Sequence, residues 1–140
     1  MMIKRLRHIR RERYRPEYEK GVTQMTIWKW NDMELEIDME DSDFQEKYEN
    51  AFEIMKEEEQ KVKKIGKLSE LTRSYCDMFY HLYDNIFGAG TGEKLLGGKR
   101  NSRIADDCYE SFLSCCKQEV QASNKNRASR FQKFKVMSKR

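Results

Sequence analysis

The sequence predicts an α+β fold, mainly α: an N-terminal β-hairpin packed on a small bundle of three long helices plus one short helix. Three observations carry this. Residues 27–37 alternate apolar and polar side chains around a central Asn-Asp pair. Three longer stretches, beginning near residues 43, 71 and 102, space their apolar residues three and four apart. The most apolar of them carries two stripes: Leu71, Tyr75, Met78, Phe79, Leu82 and Ile86 on one, Cys76, Tyr80, Tyr83 and Phe87 on the other. A helix with two apolar stripes needs cover on two sides, so it belongs at the centre.

Size and composition agree with one domain. The chain has 140 residues, 37% of them charged and 38% hydrophobic, with a single Pro. A core of that content is small, and a chain this long buries roughly 65–70% of its unfolded surface. The net charge of +4 conceals segregation: residues 1–24 carry +5, residues 25–59 carry −10, and residues 60–140 carry +9. Such a chain attracts copies of itself or a partner of complementary charge; otherwise the charges form solvated helix faces. Cys76, Cys108, Cys115 and Cys116 form no CxxC pair and lie far from His8 and His81. They read as small buried residues in a reducing compartment. The basic start is not followed by an apolar signal core, and no run approaches the ~20 apolar residues that span a bilayer. The expectation is a soluble intracellular protein with no membrane association.

The first segment, 1–24, is a basic extension too sparsely apolar to build a core. It reads as a nucleic-acid arm, a membrane-surface helix or a docking tail. A fourth reading is preferred. Lys20-Gly21-Val22 can be encoded as AAA-GGA-GTN, a ribosome-binding sequence ahead of Met25. Met25 is then the natural start and 1–24 a translated leader or upstream extension.

From Met25 the period-two pattern places Trp28 and Trp30 on the face shared by Met33, Leu35 and Ile37, with a tight turn at Asn31-Asp32. Glu34, Glu36 and Asp38 line the other face and guard the edge. Ser42 and Gln45 make a capping-box pattern for a helix over 43–64. Phe44, Tyr48, Ala51, Phe52 and Met55 form its apolar face, and Glu57-Glu58-Glu59 interrupt it. The first three turns are expected on the core and the remainder in solvent or on a partner. Ser69 is the expected N-cap of the central helix. On it Asp77, His81 and Asp84 share a face, a weak metal or acid–base pattern that reads better as surface ion pairs.

Residues 88–102 contain clustered glycines with Lys94 and Lys99 but lack the G-x-x-x-x-G-K-[ST] spacing of a phosphate loop, and they follow a helix rather than a strand. They read as a helix-ending turn, a short helix over 92–96, a second turn at Gly97-Gly98, and a cap at Asn101 or Ser102. The last helix buries Ile104, Ala105, Cys108, Tyr109, Phe112, Leu113, Cys116 and Val120. Its stripe thins after Ser123, leaving 25–123 as the hairpin-plus-helical domain and 124–140 as a basic C-terminal tail. That tail holds seven Lys/Arg and no acid, with Phe131 and Phe134 among them. It suits docking on a partner or, with its aromatics, contact with nucleic acid.

Residues 25–135 resemble a family of small phage and prophage proteins from Firmicutes. The resemblance rests on W-x-W at Trp28 and Trp30, the acidic stretch 33–38, E-K-Y-E-N-A-F at 46–52, F-G-x-G-T-G-E-K at 87–94, and C-Y-E-S-F at 108–112. It implies a siphophage tail-module protein, a tail assembly chaperone that coats the tape measure protein in the host cytoplasm until tube protein replaces it. The family carries no known catalytic residue, cofactor or metal, and none is assigned here.

The candidate partner contacts are Trp28, Trp30, Glu34, Glu36, Tyr80, Tyr83, Phe87, Phe131 and Phe134, since exposed aromatics dominate interfaces. Each of the aromatics is otherwise simply core. The partners expected are the tape measure or tail tube protein, with homo-oligomerisation also open. Two rival readings differ in class. One is a phage inhibitor of a host defence effector, whose dense carboxylates over 32–59 imitate a nucleic-acid backbone. The other is a nucleic-acid-binding protein acting through its basic C-terminus. No nucleophile–base pair, ligand cluster or cofactor loop supports an enzyme.

Overall fold

A computed structural model describes residues 26–138, with side chains to residue 135. The basic segment 1–24 and the proposed start at Met25 lie outside the described residues. The elements in order are β1 (Thr26–Trp30), β2 (Met33–Ile37), α1 (Ser42–Val62), α2 (Leu68–Phe87), α3 (Thr91–Leu96) and α4 (Ser102–Ser138). The fold is α+β and mainly α, as expected.

The two strands pair antiparallel, with Trp28 opposite Leu35 and Trp30 opposite Met33. Asn31 and Asp32 both take left-handed conformations, φ 46° and 65°. That is the two-residue turn whose twist matches a hairpin, and Asn and Asp tolerate it best. The Asn31 amide also donates to the Leu95 carbonyl at 3.3 Å, which ties the turn to the end of α3.

Helix α2 is central. Cys76, Met78, Phe79, Tyr80, Leu82, Tyr83 and Ile86 are all buried, drawn from both stripes. It packs against α1, α3 and α4. The helix starts two residues earlier than the Ser69 cap implied, with Lys67 at the N-cap position and no side-chain cap. It stops at Gly88, whose φ of 117° few L-residues adopt. Helix α3 then folds back onto α2, and Leu95 and Leu96 are buried.

Gly92 permits that return. A Cβ there would stand 2.8 Å from the Tyr80 Cα and carbonyl oxygen. The Gly92 N–H donates to Asp84 Oδ1 at 2.8 Å, fixing the same approach from the polar side. Asn101, not Ser102, caps α4: its Oδ1 accepts from the Arg103 and Ile104 N–H groups at 2.9 and 3.2 Å.

Two expectations about α1 are corrected. Asp41 occupies the N-cap position, and Ser42 is already helical. Gln45 does not close a capping box; its side-chain amide donates to the Met39 carbonyl at 2.7 Å. Nor do the later turns leave the body, since Met55 and Val62 are buried and Glu58 meets His81 of α2 at 2.7 Å. The three glutamates spare the packing because Glu57 and Glu59 point to solvent.

The hairpin closes the core from the side. Trp28 is 3% exposed, and its ring centroid lies 5.0 Å from Phe112, 5.8 Å from Tyr83 and 6.3 Å from Phe87. Its indole N–H donates to Ser111 Oγ at 3.0 Å, so the polar handle is satisfied on α4. Thr26 hydrogen-bonds Glu119 further along the same helix.

Candidate interaction surface

The structure divides the nine candidate contact residues. Trp28, Tyr80 and Tyr83 are 3%, 5% and 0% exposed. They are core rather than contact surface, because the second stripe of α2 finds its cover inside the chain, under the hairpin, α3 and α4. Trp30 and Phe87 are partly buried and packed on that core. Glu34 and Glu36 are half-buried on β2. Only Phe131 and Phe134 stand well out, at 60% and 62% exposure.

Those two belong to a longer feature. Leu113, Val120, Phe131 and Phe134 are all exposed large apolar residues of α4. They are seven, eleven and three residues apart. At 100° per residue the first three fall within about 20° of one another and Phe134 within about 60°. One strip of roughly 30 Å results. Sequence reading placed Leu113 and Val120 in the buried face; the true burial face is Ala105, Cys108, Phe112 and Cys116, ending at Ser123. The seven- and eleven-residue spacings were the available signal.

Ser123 marks where α4 leaves the body. Its hydroxyl, 5% exposed, lies 3.0 Å from Glu40 Oε2 and 3.3 Å from the Met39 carbonyl. Arg130 reaches back to Glu40 Oε1 at 3.0 Å. Glu40, which the sequence did not single out, thus tethers the outgoing helix. Residues 125–135 carry five Lys/Arg and no acid. They continue the same helix.

Two hollows flank this architecture. One, about 330 Å³, opens where β2, the start of α1 and the end of α2 meet; Leu35, Phe44 and Phe87 line it together with Asp41, Asp43 and Lys47. The other, about 300 Å³, lies between α1 and α4 beside Tyr48, Val120 and Arg127.

Burial pushes the Cys108 thiol up to about 11 and the Cys116 thiol up to about 12. Burial likewise raises Cys76 and Cys115. Thiols shifted this way remain protonated near neutrality and are poor nucleophiles. The Tyr83 hydroxyl is raised by burial and sits beside Cys108. The weak acidic–histidine pattern on α2 is dispersed among three partners: His81 faces Glu58, Asp77 holds Arg100 at 2.6 Å, and Asp84 accepts from Gly92. Arg100 also stacks over the Tyr80 ring at 3.8 Å, closing the turn after α3.

Residues 31–140 match a family of unknown function, DUF6673. The chain belongs to the DUF6673 family. No curated protein and no solved structure matches it. The DUF6673 match begins in the hairpin turn and takes in α1 to α4, so the α4 strip and both hollows fall within it.

Proposed function

We propose that this DUF6673 protein acts without catalysis, by gripping another polypeptide, as a phage tail assembly chaperone for the tape measure protein in the host cytoplasm. The observation that carries the reading is the exposed strip of α4, which ends in Phe131 and Phe134 among five basic residues. Apolar groups spread along a rigid helix suit a long helical client, and the surrounding charge keeps the free protein in solution. The W-x-W and F-G-x-G-T-G-E-K resemblance supports the same assignment.

The test is co-expression with the tape measure protein of the same genome. The expected result is co-purification and a soluble tape measure, both reduced by Phe131→Ser with Phe134→Ser. A tape measure that stays insoluble and unbound beside the intact protein overturns the proposal.

The acidic surface of α1 favours a second reading, inhibition of a host nuclease by imitation of a nucleic-acid backbone. Asp43, Glu46, Glu49 and Glu53 are all exposed there. Inhibition of a nuclease that is relieved by neutralising those carboxylates would favour it.

A further inference from the structure

One chain presents two unlike surfaces. The groove of about 330 Å³ beside β2 has an apolar lining of Leu35, Phe44 and Phe87, and Asp41 and Asp43 stand over it. Asp41 and Asp43 line it beside Lys47. The outgoing half of α4 is the reverse, with exposed rings at Phe131 and Phe134 and only basic charge from 125 to 135.

Within one chain neither ring is seated, since each keeps about three-fifths of its surface in water. Two α4 ends cannot cover each other without bringing like charges together. The groove answers both needs: it takes apolar rings out of water and sets carboxylates against the flanking bases.

We propose that the chain self-associates by seating the Phe131/Phe134 end of α4 from one copy in the Leu35/Phe44/Phe87 groove of a second copy, with Lys133 facing Asp41 and Asp43. Reciprocal exchange about a two-fold axis closes the pair as a dimer. Aromatic side chains bury roughly 150–250 Å² each, and with about three-fifths of each ring still exposed the four contribute roughly 360–600 Å². With a comparable area from the groove walls the total falls at or below the lower range of specific interfaces, about 1,200 Å². The dimer is therefore reversible and sensitive to salt. It does not rest on the tail-assembly reading.

The experiment is sedimentation velocity on the full chain over a wide concentration range, at low and high salt. A monomer–dimer equilibrium that weakens as salt rises is expected. Phe131→Ser with Phe134→Ser, both at exposed positions, should weaken dimerisation about tenfold or more while leaving the thermal transition in place. Asp43→Lys should weaken it independently. In a mixture of isotopically light and heavy chains, an amine cross-linker should join Lys133 of one to Lys47 of the other.

A chain that remains monomeric at low salt at every concentration overturns the proposal. So does a dimer indifferent to the Phe131/Phe134 pair. Association that appears only when another protein is added gives the groove a different occupant and overturns it too.

Discussion

Trp28 shows how a residue's role depends on what covers it. As an exposed ring it would anchor a partner; as found, it is wedged among Tyr83, Phe87 and Phe112 with its N–H satisfied by Ser111. Truncating the centre of that cluster, Phe112→Ala, should cost about 3–5 kcal/mol in thermal or denaturant unfolding. Tyr83→Phe should be neutral or slightly stabilising by the same measurement, because its hydroxyl is buried with no more than a thiol beside it.

Gly92 separates space from conformation. Gly92→Ala forces a methyl against the Tyr80 backbone and should cost about 1–3 kcal/mol. Gly66→Ala, where nothing lies within 4 Å, should be neutral or stabilising by up to about 1 kcal/mol.

The thiols make a pH prediction. Burial raises Cys108 to about 11 and Cys116 to about 12, above the ordinary thiol value. The unfolded chain therefore loses these protons first as pH rises. Their contribution to stability is complete below about pH 8.5 and is lost progressively above it. Denaturant midpoints across that range should fall with pH, and Cys108→Ala with Cys116→Ala should flatten the fall.

Among the elements, α4 does two jobs on one 37-residue helix. Its first half covers the core. Its second half is held by Ser123 and Arg130 through Glu40, and beyond Ser123 the rings of Phe131 and Phe134 stand exposed. A helix segment without tertiary contacts is marginal in water. Glu40→Gln should therefore fray the end of α4 and raise amide exchange beyond about residue 124, with little change in the global melting temperature. Exchange unchanged in that variant would show that the tether is idle.

The hairpin is the converse case. A two-stranded ribbon is unstable alone, and this one survives by placing Trp28 and Ile37 in the core and its turn on α3. Its register was readable from alternation and the Asn-Asp pair, since a shift by one residue would expose every apolar side chain.

For the molecule as a whole, charge is segregated along the sequence and remains segregated in space: the acids lie on the hairpin and α1, the bases at the end of α4. Surface charges feel one another over about 10 Å at 0.1 M salt, so any association between the halves, with a copy or a client, should weaken steeply as salt is added. Sedimentation or co-purification at two ionic strengths measures it.

Periodicity and turn chemistry alone determined the element order, the central helix and the return at the glycines, because those are local properties of the backbone. Which of the two α2 stripes meets solvent was not local. Both are largely covered, by the hairpin and α4 from distant parts of the chain and by the neighbouring α1 and α3, with Leu71, Tyr75 and Phe87 left partly exposed. The tertiary structure also decided that α1 stays packed to Val62, that Asp41 and Asn101 stand at the helix starts, and that the exposed apolar strip is on α4. Burial is set by what packs opposite a residue, and the sequence around that residue does not contain its neighbour.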